Sequence, residues 1–157
     1  MEVSNPGTSI VPISRIIDHP PRSRNERLAS LMRRFAICEE RGSGVDKVIT
    51  AIEAVQMPSP EFVEYEEAFK VVFFAPRQFK EMTHEARVRA CFQHCCLLFT
   101  NGLFMTNQSL RERFGIDEKN YSMVSRVISD AKNEKFIKDF DPESRSRKHA
   151  RYVPYFA

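Results

Sequence analysis

The run Glu39-Glu40-Arg41-Gly42-Ser43-Gly44 puts two glycines around a serine directly ahead of an amphipathic stretch that begins at Val45. Residues of this type at this spacing can hold phosphate. A helix start carries unpaired amide N–H groups and the positive end of the macrodipole, and glycine lets the backbone approach an anion with no Cβ in the way. The same residues also make an ordinary turn and N-cap, so the spacing leaves both readings open. A second set is Lys119, Asn120, Ser122, Ser125, Arg126 and Ser129, polar side chains set between the apolar positions Val124, Val127, Ile128 and Ala131. Their donors and acceptors suit phosphate oxygens and base edges. A third set, Arg145, Arg147, Lys148 and Arg151 with His149 among them, lies in a Ser-rich run that could reach backbone phosphates or the minor groove, and Arg111 and Arg113 flank a turn nearby.

Other chemistry finds less support. His19, His84, His94 and His149 are scattered, and none stands beside a recognisable nucleophile and orienting acid. Glu61, Glu64, Glu66 and Glu67 read as an exposed strand and turn rather than an acid–base pair. No catalytic residue is assigned. Cys91 and Cys95 are one helical turn apart, with Cys96 and His94 beside them, but no second Cys or His pair sits at the spacing of a closed zinc site. Cys91 and Cys95 instead continue a stripe of Val88, Phe92 and Phe99, which makes them buried thiols of a reducing compartment. No metal is expected.

The elements that must position these residues are set by the rest of the chain. At 157 residues and 42% hydrophobic content, there is room for one ordinary domain or two small ones, each with a packed core. No apolar run approaches the length that spans a bilayer, and no basic-then-apolar leader opens the chain, so a cytoplasmic protein without membrane contact is expected. The opening Met1-Glu2-Val3-Ser4-Asn5-Pro6-Gly7 reads as a strand entering a turn, as in a piece of something longer. Residues 1–80 hold 11 Lys/Arg against 11 Asp/Glu, whereas residues 81–157 hold 13 against 10, so the whole excess of +3 belongs to the second half. Two domains are expected, 1–80 and 81–157, with Ala75 to Lys80 as connector.

In the first half, Ser23 and Glu26 form a capping-box signature, with Ser23 at the N-cap. The helix that follows has an apolar face of Leu28, Leu31, Met32 and Phe35, and the helix after Gly44 repeats it with Val45, Val48, Ile49 and Ile52. Both are expected to cover one face of a sheet. Pro58-Ser59-Pro60 ends the second helix, Glu61 to Tyr65 alternates as a half-exposed strand, and residues 69–74 close the sheet.

Ser4-Asn5-Pro6-Gly7, Arg24-Asn25 opening a helix, Glu39-x-x-Gly42-Ser43-Gly44, Pro58-x-Pro60 and a closing strand occur in an order that resembles the C-terminal region of bacterial transcriptional regulators labelled RecG-related ATP-dependent DNA helicases. The N-terminal part of those proteins is a Schlafen-like or AlbA-like domain. The resemblance implies an α/β-sandwich fragment akin to the ATP-binding domain of histidine kinases and gyrases. It puts Asn5 and Gly7 in the first glycine box, and Gly42, Ser43 and Gly44 in the second, against the phosphates of ATP. Asn5 stands where that family carries an adenine-reading aspartate, and no residue here matches its magnesium-binding asparagine. No Gly-x-x-x-x-Gly-Lys-Ser/Thr loop is present, so the helicase label implies no motor in these residues.

The second half predicts a helix over 83–99 capped by Thr83, a stop at Asn101-Gly102, and a short strand at Leu103-Phe104-Met105. Thr106 then caps a helix with Leu110 and Phe114 inward, Gly115 ends it, and a third helix follows the turn at 115–118. Strands at 136–140 and 151–156, joined by a long tip, complete a hairpin. This order resembles the winged-helix family of DNA-binding domains, giving an α+β chain overall. Two functions follow as expectations. One is a DNA-binding regulator fragment responsive to a nucleotide, with double-stranded DNA, the upstream domain and a second copy of itself as partners. The other is an enzyme fragment whose glycine box belongs to an ATPase. A winged helix serving only protein–protein contact is the third reading.

Overall fold

The structure is a computed structural model that describes residues 1–38, 44–143 and 150–157. It is a mixed α+β chain with two small sheets. Strand β1 (Glu2–Pro6), α1 (Glu26–Arg34), α2 (Gly44–Ala54), β2 (Glu61–Glu64) and β3 (Ala68–Val72) precede α3 (His84–Thr100), α4 (Asn107–Phe114), α5 (Tyr121–Asn133), β4 (Ile137–Asp139) and β5 (Tyr152–Pro154). No helix among the described residues is long and apolar enough to cross a membrane.

The first sheet is antiparallel in the order β1-β3-β2, with Asn5 opposite Phe69 and Phe62 opposite Val71. Gly7 follows β1 at φ +89°, a conformation glycine takes without a Cβ clash, and its N–H donates to Glu67 O at 2.7 Å to close the sheet end. The two helices do not both cover this sheet. In α1 no residue is buried: Leu28, Leu31 and Phe35 are 52%, 50% and 69% exposed, and of the expected apolar face Met32 alone is half-buried, with Ala29, Ser30 and Arg33. Its N-cap is Asn25 rather than Ser23, because the Asn25 side chain accepts from the Leu28 N–H at 3.0 Å while Ser23 Oγ is taken by the Asn25 N–H. Helix α2 turns Ile49 inward to a small core with Ile17, Cys96 and Leu97.

Helix α3 is buried on two sides. One carries Val88, Cys91 and Cys95 into the main core with Met105, Leu110, Val124, Ile128 and Ile137. The other carries Cys96 and Leu97 against Ile17 and Ile49. Thr83 caps it as the spacing predicts, accepting from Ala86 N–H at 3.2 Å, but the single stripe of the sequence reading is too narrow, and Phe99 lies 38% exposed. Cys91, Cys95 and Cys96 are free buried thiols, and burial raises all three, Cys95 to about 12. Phe79, placed in the connector by the sequence reading, packs edge-on against Phe114 with centroids 4.9 Å apart.

Helix α4 begins on a Thr106–Ser109 capping box and ends at Gly115, φ +62°. A 3-10 turn, Glu118–Asn120, leads into α5, whose buried residues are Val124, Val127, Ile128 and Ala131. Strands β4 and β5 pair antiparallel, and Met105 joins them through an isolated bridge to Tyr152.

Candidate nucleic-acid interface

Burying Val124, Val127, Ile128 and Ala131 turns the opposite side of α5 to solvent, and with it Ser122, Ser125, Arg126 and Ser129, all exposed. A polar groove of about 1120 Å³ runs between this face, the N-terminal turn of α4 and the β4–β5 hairpin. Arg111, Ser122, Ser125, Ser129 and Arg151 line it. Arg126 stands one position round the helix, beside a second, smaller cleft with Arg87 and His84. Lys119 and Asn120 are exposed on the 3-10 turn that leads into the same helix.

The groove has a positioning layer that the sequence reading missed. Asn107, in the first turn of α4, donates to Ser125 Oγ at 3.0 Å and to Tyr121 O at 3.3 Å, and its Oδ1 accepts from Arg111 Nε at 3.2 Å. Asn107 thereby sets the angle between α4 and the start of α5 and holds Arg111 along the groove wall. Arg151 is held by two rings, with its guanidinium 4.8 Å from the Phe104 centroid and 4.9 Å from Phe140. The signal was the pair of aromatics at 104 and 140, which read as ordinary strand residues. Lys132 is not free, since its ammonium meets Asp139 at 2.5 Å across the groove. Glu118, Asp139 and Asp141 add negative charge to the walls, so the field comes from placed cations rather than from an overall excess.

Arg113 does not belong to this surface. Its side chain is 1% exposed, and it points away into the junction of α4 with α2 and Met57-Pro58-Ser59. Nη2 donates to Met57 O at 2.7 Å and to Ser59 Oγ at 3.2 Å. Nε lies 3.2 Å from Glu53 Oε1 but off the hydrogen-bond line, so that contact is Coulombic. Burial lowers the Arg113 pKa, with the Glu53 charge opposing. The spacing in sequence put Arg113 near Arg111, but positions two apart on a helix point about 200° apart. Glu53 also meets His94 Nδ1 at 2.9 Å, and His94 Nε2 meets Ser109 Oγ at 3.2 Å. His94 therefore does stand between a hydroxyl and a carboxylate, contrary to the sequence reading. Ser109 is committed to the α4 capping box, receiving the Thr106 N–H at 3.1 Å and facing Thr106 O at 3.1 Å. With Ser109 tied into the cap and His94 7% exposed, the row links α2, α3 and α4.

Of the phosphate-site residues, Asn5 is exposed in β1, Gly7 is at the turn after it, and Gly44 is the first residue of α2, with no atom within 4 Å of where a Cβ would stand. Gly42 and Ser43 lie outside the described residues, as do Arg145, Arg147, Lys148 and His149.

Residues 1–73 match a family model described as the ATP-dependent DNA helicase recG C-terminal region. No curated protein and no solved structure matches the chain. The first half of the chain is thus similar to the C-terminal, ATPase-like region of RecG-related helicases, and the similarity stops at the strand that closes the first sheet.

Proposed function

We propose that residues 81–157 are a winged-helix domain that binds double-stranded DNA, and that the chain is the C-terminal region of a transcriptional regulator. In this reading α5 enters the major groove, Asn107 and Arg111 hold the backbone beside it, and Arg151 and the hairpin tip, with Arg145, Arg147 and Lys148, track the next phosphates. The observation that carries it is the groove between the polar face of α5 and the hairpin, with its cations fixed by Asn107 and by the Phe104–Phe140 pair. The test is fluorescence anisotropy of a labelled random duplex over a salt series, on the wild type and on Arg111→Ala/Arg151→Ala. Binding should weaken steeply with salt, and losing two phosphate contacts should cut the log–log slope by about 1.8. An unchanged slope, or no binding at low salt, overturns the reading and leaves a protein-contact module.

The match of residues 1–73 supports a second reading for the first half, a residual nucleotide site at Asn5, Gly7, Gly42, Ser43 and Gly44 that makes DNA binding responsive to ATP. Amide shifts of Gly7 and Gly44 on adding ATP at millimolar levels or below would support it, and flat signals would reduce Gly44 to a helix start.

A further inference from the structure

Helix α1 presents to solvent the side that a surface helix ordinarily buries. At about 100° per residue, Leu28, Leu31 and Phe35 fall within about 60° of one another, and Arg27 and Arg34 adjoin them on the Leu31 side. All five are exposed, as is Ile37 just past the helix. The half-buried residues are Ala29, Ser30, Met32 and Arg33, and Arg33 makes the ion pair within the helix, 3.5 Å from Glu26 and off the apolar row. The guanidinium groups of Arg27 and Arg34 meet no acid among the described residues. An exposed apolar row edged by unpaired cations fits a surface that is both apolar and acidic.

The chain carries such a surface at the same end. The β2–β3 turn is Glu64-Tyr65-Glu66-Glu67, with all four residues exposed, and the Glu66 and Glu67 carboxylates meet no cation among the described residues. Glu64 Oε1 accepts from the Ser9 N–H at 2.8 Å, and Gly7 N–H donates to Glu67 O at 2.7 Å. Arg24, just ahead of α1, donates to Thr8 O. Residues 7–9 thus tie the acidic turn to the entry of the basic helix. Carboxylates at that end repel an anionic lipid surface, whereas a patch that holds both members of a complementary pair can match itself across a two-fold axis.

We propose that α1 and the β2–β3 turn form the interface of a two-fold dimer of this chain. Leu28, Leu31 and Phe35 of each copy cover the partner's Tyr65, and Arg27 and Arg34 meet the partner's Glu66 and Glu67. The interface uses no residue of the proposed DNA groove, so it holds or fails separately from that reading.

The test is analytical ultracentrifugation of the 157-residue chain from about 10 μM to about 1 mM, where a monomer–dimer equilibrium with a Kd of about 100 μM or tighter is expected. Raising the salt from about 50 mM to about 500 mM should weaken it several-fold. Arg27→Glu/Arg34→Glu and Glu66→Lys/Glu67→Lys, at exposed positions outside both cores, should each weaken association at least about tenfold. An equimolar mixture of these two variants should recover a heterodimer, because each turn again faces a helix of opposite charge. Leu31→Ser/Phe35→Ser should also weaken the dimer at least about tenfold with every charge in place. A wild type that stays monomeric throughout, association that neither charge reversal weakens, or a mixture that associates no better than its components would each overturn the proposal. Co-sedimentation of a monomeric wild type with phosphatidylglycerol vesicles would overturn it too, and would give the α1 face to a membrane.

Discussion

At the residue scale, ionisation is decided by what the fold sets beside each group. Burial pushes up the thiols of Cys91, Cys95 and Cys96, and at Cys96 the opposing charge of Arg15 does not overcome it, while Cys38 is exposed. His84 is the opposite case. It is an exposed imidazole raised above its ordinary value of 6.5, first by its hydrogen bond to Glu134 and then by the charges of Asp130, Glu134 and Glu85. A folded-state pKa above the unfolded one contributes stability that is fully present below pH 6.5 and is lost as pH rises through the folded value. An NMR titration should therefore place His84 above 6.5, and Glu134→Gln should move it back down. Urea midpoints for the wild type should fall from pH 6 to pH 8 more than those of His84→Gln. Parallel midpoints would show that the carboxylates do not hold the proton.

At the scale of elements, the helices obey their caps more closely than their stripes. Thr83 and Thr106 start α3 and α4 where the hydroxyl spacing predicts, and Gly115 ends α4 in the left-handed region. Ser23 lost its place to Asn25, two residues on, because an asparagine reaches the third N–H equally well and lies closer to the apolar run. Gly115 also has a tertiary reason to be glycine. A Cβ there would come within 2.6 Å of Gln56 Oε1, the side chain whose Nε2 reaches Glu112 O at 3.4 Å. Gly115→Ala should cost about 1–2 kcal/mol in urea unfolding, mostly from φ +62°, and the flexible Gln56 should swing away. Adding Gln56→Ala should recover little of it; full recovery would mean that the clash rather than the backbone dominates.

At the scale of the whole molecule, the two halves are joined by buried polar contacts as well as by apolar packing. Glu53 of α2 meets Arg113 of α4 and His94 of α3, and Gln93 reaches Pro60 O. Removing one member strands a largely buried charge. Arg113→Ala should destabilise the chain by about 3–5 kcal/mol, while Glu53→Gln/Arg113→Met, which removes both charges, should cost much less. If the double variant is no more stable than Arg113→Ala, the pair is not coupled. The same construction explains why α3 is buried nearly all round, since it is the wall shared by both cores.

The sequence by itself determined the elements whose signals are local. The α5 core positions, both threonine caps, Gly115 and the two terminal strands follow from periodicity and capping, which act within a few residues. It also determined the likeness of the first 73 residues to the RecG-related C-terminal region, because short motifs in a given order survive as sequence. Tertiary structure alone decided what each side chain faces. It buried Arg113 and left Arg111, two positions away, half-buried on the groove wall, and it turned Leu28, Leu31 and Phe35 of α1 outward. It set Asn107 against Ser125, laid Arg151 against two rings that touch each other, and left Gln93 Oε1 buried without a partner. The physical reason is range. Helix propensity and capping are settled by neighbours along the chain, whereas burial, ion pairing and cavities depend on residues about thirty to sixty positions away, such as Pro60 for Gln93 and Glu53 for Arg113.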